Sequence, residues 1–138
     1  KRKNDDQLNT YNLLYSKPQY GLAAPIGATN MITANPYMKL NPFKRTNAYV
    51  GVNFMWRQSS QDGTYSPAAV EVRPKPESPN ASSIKQLGKL IMLEVNYAFN
   101  TNFSISVDAS KFFAGRYIKE TGKGKDISYK SLKVSIKF

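Results

Sequence analysis

Leu132, Val134, Ile136 and Phe138 alternate with Lys133, Ser135 and Lys137 at the end of the chain. Strict alternation of this kind predicts a β-strand with one apolar face and one wet face. The same period of two recurs upstream. Ala48, Val50, Val52, Phe54 and Trp56 fall on one face, against Tyr49, Gly51, Asn53, Met55 and Arg57. Ile91, Leu93, Val95, Tyr97 and Phe99 oppose Met92, Glu94, Asn96 and Ala98. Phe103, Ile105, Val107 and Ala109 alternate with Ser104, Ser106, Asp108 and Ser110. Lys111 would continue the apolar face, so the alternation is expected to break there or to shift through a bulge. A weaker alternation from Met31 to Leu40 contains Pro36 and predicts an irregular strand. The pattern gives five strands in all.

The connections sort by length. Residues 41–47 and 100–102 read as short turns. Residues 1–28, 58–83 and 116–126 read as long loops, the middle one with a short hairpin around Ala68 to Val72. Short and long connections alternate along the chain. Outer-membrane barrels have this arrangement, with short periplasmic turns and long extracellular loops. Strands of about ten residues, tilted near 45°, match the apolar thickness of a bilayer. Trp56, Tyr97, Phe99 and Phe103 sit at strand ends, and Phe138 closes the chain; together they are candidates for an aromatic girdle. The expected fold class is therefore all-β, an antiparallel transmembrane barrel in a Gram-negative outer membrane, with its carboxyl terminus periplasmic. Five strands cannot enclose a lumen, so residues 1–138 are expected to be the C-terminal part of one larger barrel domain.

Composition fits this picture and excludes much else. Apolar residues make up 41% of the chain, and mean hydropathy is −0.50. No run approaches the roughly 18 apolar residues of a membrane helix. There is no cysteine, hence no disulfide or thiolate chemistry, and no histidine. The commonest general base and transition-metal ligand is thus missing. No calcium-loop spacing links Asp5, Asp6, Asp62 and Glu77. No metal, cofactor or catalytic residue is expected, and the chain is read as a non-enzyme. The formal charge is +11, which favours anionic partners. The first residues carry no apolar signal core, so the sequence is expected to begin after processing or within a longer protein.

By alternation the lumen would receive Tyr49, Asn53, Arg57, Glu94, Asn96, Asp108, Arg116, Lys133 and Lys137. Of these, Tyr49, Arg57, Arg116, Lys133 and Lys137 are the candidates for holding an anion through charge-assisted hydrogen bonds. Glu94 and Asp108 flank one short turn and are the candidate counter-charges. The same set is also readable as ordinary wall residues paired in a ladder. A glycosidase acid–base reading of Glu94 and Asp108 lacks any supporting histidine. Gly122-Lys123-Gly124-Lys125-Asp126 lacks the ending of a phosphate loop and is read as solvated extracellular loop.

Two runs resemble the alginate-export family of outer-membrane porins. One extends from Phe54 through Trp56-Arg57-Gln58 to Asp62-Gly63-Thr64-Tyr65. The other extends from Phe112-Phe113-Ala114-Gly115-Arg116-Tyr117 to Gly122, then through Gly124 to Ile127 and the last strand. Tyr11 to Gly21 and Gly27 to Ile32 are similar to the loop and strand entry before the first run. The resemblance implies a monomeric barrel of about eighteen strands, of which this chain supplies the last five or six. It implies a basic lumen and passive transport of an anionic, alginate-like polysaccharide or other anionic solute. Lys130 departs from the family pattern, standing where closing strands often carry an aromatic. The implied partners are outer-membrane lipid and lipopolysaccharide, the anionic cargo, and the barrel-assembly machinery through the C-terminal strand; nucleic acid is not among them. The alternative is a soluble basic β-module binding acidic glycan or nucleic acid, suggested by the charge and nine tyrosines.

Overall fold

The computed structural model describes residues 26–77 and 83–138. The loop expected over residues 1–28 lies outside the described residues except for its last three, as do Tyr11 to Gly21 and residues 78–82 of the next loop.

Alternating residues build an antiparallel meander. β1 (Met31–Ala34) and β2 (Tyr37–Leu40) pair end to end along one edge of β3 (Thr46–Arg57). β3 pairs with β6 (Gln86–Ala98), β6 with β7 (Phe103–Ala114), and β7 with β8 (Ile127–Ile136). The first expected strand is thus split at Pro36, which has no N–H to give to a ladder. Its carbonyl still accepts from the Val52 N–H at 3.0 Å. A separate two-stranded ribbon, β4 (Thr64–Tyr65) with β5 (Glu71–Arg73), lies in the 58–83 connection. It starts a few residues earlier than the hairpin read from the sequence. A short helix, α1 (Arg116–Glu120), follows β7.

The short turns are held by their own side chains. The Asn100 carboxamide oxygen accepts from the N–H groups of Asn102 and Phe103 at 2.9 and 2.8 Å, the local bonding that makes asparagine a turn residue. Between β2 and β3, the Thr46 N–H donates to Phe43 at 3.1 Å, with Arg45 at a φ of 66°.

The register sorts side chains onto two faces. One carries Val50, Val52, Ile91, Leu93, Ile105, Val107, Leu132, Val134 and Ile136. It is uncovered: Leu132 is 68% exposed and Ile136 60%. We call it the outer face. The inner face carries Tyr49, Asn53, Glu94, Asn96, Ser106, Asp108, Ser131 and Lys133. The core sits at the long-loop end of this inner face. There Met55, Leu87, Leu90, Phe112 and Ala114 meet Ile26, Tyr117 and Ile118 from the connections.

Two local details differ from the sequence reading. The register does not break at Lys111, which pairs with Ile91 and Ser128 and keeps its place on the outer face. The irregularity lies between Met55 and Trp56 instead, opposite Gly88 at a φ of 152°. That value belongs to glycine. A Cβ at Gly88 would stand 2.3 Å from the Phe113 carbonyl oxygen.

Candidate functional site

The inner face has a wet half and a dry half. In the wet half, nearer the short turns, Glu94 sits between Tyr49 on β3 and Asp108 on β7. Two like charges are therefore direct cross-strand neighbours, an arrangement that costs stability unless water or a partner compensates. Ser131 donates to Asp108 Oδ2 at 2.9 Å, and Asn96 Nδ2 donates to Ser106 at 2.7 Å. Beside them Lys39, Asn41, Asn47, Tyr49, Glu94 and Asn96 line a cleft of about 640 Å³. A smaller recess of about 160 Å³ continues past Tyr49 and Glu94 to Asp108, Ser110 and Tyr129. The rings of Tyr37 and Tyr49 stack at 5.6 Å between centroids, and Lys39 Nζ lies 5.8 Å from the Tyr37 ring. Gly51 makes room for this pair, since a Cβ there would lie 2.6 Å from the Tyr49 hydroxyl.

In the dry half the connections fold back onto the sheet. Arg57 ends β3 fully buried. Its Nε and Nη2 donate to the Ile84 carbonyl at 3.1 and 2.7 Å, and its Nη1 to that of Asp62 at 3.0 Å. Its guanidinium carbon lies 4.0 Å from the centroid of the Tyr117 ring. Asn30 ties the other side: its Nδ2 donates to Ser59 and Gly63 carbonyls at 3.0 and 2.8 Å, and its Oδ1 accepts from the Ser59 N–H at 2.7 Å. Arg73 of β5 donates to Thr121 Oγ1 at 3.2 Å and to the Lys123 carbonyl at 3.0 Å, joining the two long connections. Burial pushes the Tyr117 phenol up from its ordinary value, against the lowering effect of Arg57 and Arg73. Tyr65 is pushed up to about 12, chiefly because its hydroxyl donates to Asp62 at 2.7 Å.

The sequence-derived candidates separate accordingly. Tyr49, Glu94, Asp108 and Lys133 share the open inner face. Arg57 shares that face by register, but carbonyls engage its guanidinium, which acts as a pin for the loops. Asn53 is fully buried, its amide making no hydrogen bond among the described residues. Arg116 lies on α1, exposed, in an ion pair with Glu120 at 2.6 Å. Lys137 lies past β8, where its backbone bonds Asn102. Tyr37, Lys39, Asn47 and Tyr129 join the site without having been singled out. Counting parity back through the 41–47 turn would have found Lys39 opposite Tyr49.

Aromatic residues gather at both ends of the outer face. Phe54 and Trp56 stack at 6.1 Å at the long-loop end. Tyr97, Phe99 and Phe103 form a chain of contacts at 4.7 and 4.9 Å at the short-turn end. Phe138 lies past β8, exposed. Ten residues separate Thr46, opposite Tyr97, from Trp56. That is roughly 33 Å along a strand and about 23 Å at a 45° tilt. Among the described residues no helix is long and apolar enough to cross a membrane, and no group of acidic side chains is placed to hold a metal ion.

The chain is an all-β antiparallel wall with an uncovered aliphatic face and a polar opposite face, an architecture consistent with a β-barrel family. It belongs to the alginate-export family, a family of outer-membrane proteins: the family model for alginate export matches residues 1–128. No curated protein and no solved structure matches the chain.

Proposed function

We propose that the chain is a C-terminal stretch of wall in an outer-membrane channel of about eighteen strands, passing an anionic, alginate-like polysaccharide without catalysis. The observation that carries this is the pairing of an exposed aliphatic face, bounded by aromatics at both ends, with a polar face bearing the cleft. The separation of the aromatic groups, about 23 Å, suits the roughly 25 Å apolar band of such barrels. Long loops lie outside and the carboxyl terminus lies in the periplasm. The edge of β8 away from β7 is offered to the assembly machinery and then to the first strand of the barrel.

The charge on the open inner face is mixed. Lys39 and Lys133 stand against Glu94 and Asp108. A polyanion moving past would meet cations that attract it, and carboxylates that keep any one contact from holding it. Conduction needs binding strong enough to admit the solute and weak enough to release it. The Tyr37–Tyr49 pair adds flat apolar surface beside Lys39, suited to a sugar ring with its carboxylate. The loop cap pinned by Arg57 narrows the extracellular half.

Planar-bilayer recording of the complete barrel tests this reading. Anion-selective conductance, blocked from one side by oligouronates, is the expected result. Cation selectivity, or a protein that folds in water without detergent, would sink it.

A further inference from the structure

Among the described residues, the outer face of the sheet carries three charged side chains, all lysines, on three adjacent strands. Lys89 on β6 is opposite Phe113 and also Phe54. Lys111 on β7 is opposite Ser128, and Lys130 on β8 is opposite Ala109. Each is therefore displaced by two residues from the next, the diagonal relation in which side chains stand about 7–8 Å apart. All three are exposed. The face presents no carboxylate to them, and the ion pair found among the described residues is elsewhere, between Arg116 and Glu120.

A lysine on a lipid-facing surface is unfavourable near the middle of the apolar band and tolerated only toward its edge. Lys89 and Lys111 lie in the long-loop third of their strands, and Lys130 lies below them in the upper half of β8. Their flexible stems allow the ammonium groups to rise to the polar layer. Phe113 gathers two of them: Lys89 Nζ is 5.0 Å from the ring centroid and Lys111 Nζ 4.9 Å. Two ammonium groups held at one ring repel each other, so the cluster favours a ligand with more than one negative charge.

We propose that Lys89, Lys111 and Lys130 form a binding site on the lipid-facing wall for the phosphate groups of a phosphorylated glycolipid in the outer leaflet. The apolar surface below, including Ile91, Leu93 and Leu132, receives its acyl chains. The inference rests on the outer-membrane reading above, because only then does this face meet lipid with the long loops outside. The site is distinct from the inner-face cleft and from the loop lysines Lys123 and Lys125.

The test uses the complete barrel in zwitterionic detergent, titrated with bis-phosphorylated lipid A and followed by native mass spectrometry and by heat-modifiable gel mobility. Wild type is expected to retain lipid A and to melt higher in its presence. Lipid A stripped of phosphate should bind far more weakly. Changing Lys89, Lys111 and Lys130 to Gln should weaken binding roughly fivefold per lysine, about a hundredfold together. In detergent alone the triple variant should melt no lower than wild type, because it removes charge from an apolar face. Unchanged lipid A binding by a normally folded triple variant would overturn the proposal and leave the channel reading standing. Loss of binding in a Lys123→Gln, Lys125→Gln variant instead would also overturn it. Absence of heat-modifiable mobility in wild type would defeat the channel reading itself.

Discussion

The Arg57 guanidinium lies against the Tyr117 ring at 4.0 Å, joining the end of β3 to the helix that follows β7. It also donates to the carbonyls of Asp62 and Ile84. Arg57→Met should therefore remove the donors those carbonyls accept from and destabilise the folded protein by about 3 kcal/mol. Arg57→Lys restores charge but not the planar fork, and should recover only part of that loss. Urea midpoints read from heat-modifiable mobility would measure both. A midpoint for Arg57→Met equal to that of wild type would contradict the pinning role.

Tyr65 ties its stability contribution to high pH. Its folded pKa is raised to about 12 by the bond to Asp62. Below pH 10 the phenol is protonated in folded and unfolded chains alike, and the contribution is fully present. Between pH 10 and about 12 the unfolded phenol ionises first, so the contribution falls as pH rises. Phenolate absorbance should show Tyr65 titrating late, alongside Tyr117, whose phenol burial also raises. Asp62→Asn should bring Tyr65 back toward its ordinary range.

Glu94 and Asp108 place two carboxylates side by side on the open inner face. Glu94→Gln with Asp108→Asn removes their repulsion and the negative counterweight to Lys39 and Lys133. Anion-over-cation permeability should rise by about twofold or more, since charges lining a pore set its selectivity. Reversal-potential measurements in a salt gradient would detect the shift. Oligouronate residence times should lengthen in parallel.

Gly88 has no room for a side chain, with the Phe113 carbonyl oxygen 2.3 Å from where a Cβ would stand. Gly88→Ala should cost about 2–4 kcal/mol through strain at a positive φ and displacement of β7. Gly51→Ala should be milder, because a mobile Tyr49 ring is what it would displace. Its effect should show in conductance more than in folding. Comparing the two variants in the same urea series would separate backbone strain from side-chain crowding.

Much of the sheet was readable as parity. Glu94 and Asp108 can be paired on paper by counting outward from the turn at residues 100–102, and the register keeps that pairing. Lys111 departs from the expected break because a cation in an apolar series only looks like an interruption. Its side chain is long enough to keep the register and carry its charge away, here onto Phe113. α1 has five residues, too few to display helical periodicity. The burial of Arg57 left no trace in the pattern, because its partners are backbone carbonyls of distant connections and carry no sequence signal. The same holds for Asn30, whose clamp on Ser59 and Gly63 depends on where two loops meet.

Among the described residues, β8 has β7 on one side only. Every second residue along Ile127–Ile136 therefore directs an N–H and a C=O away from the sheet, about five of each. In hydrocarbon each unpaired group costs several kcal/mol. Together they exceed the roughly 5–15 kcal/mol by which a whole domain is usually stable. Within a bilayer these strands therefore have no stability of their own to lose or keep. On the proposed channel reading, their folding and the sealing of that seam would be a single event, and a mutation anywhere along the seam would be felt as a property of the entire ring.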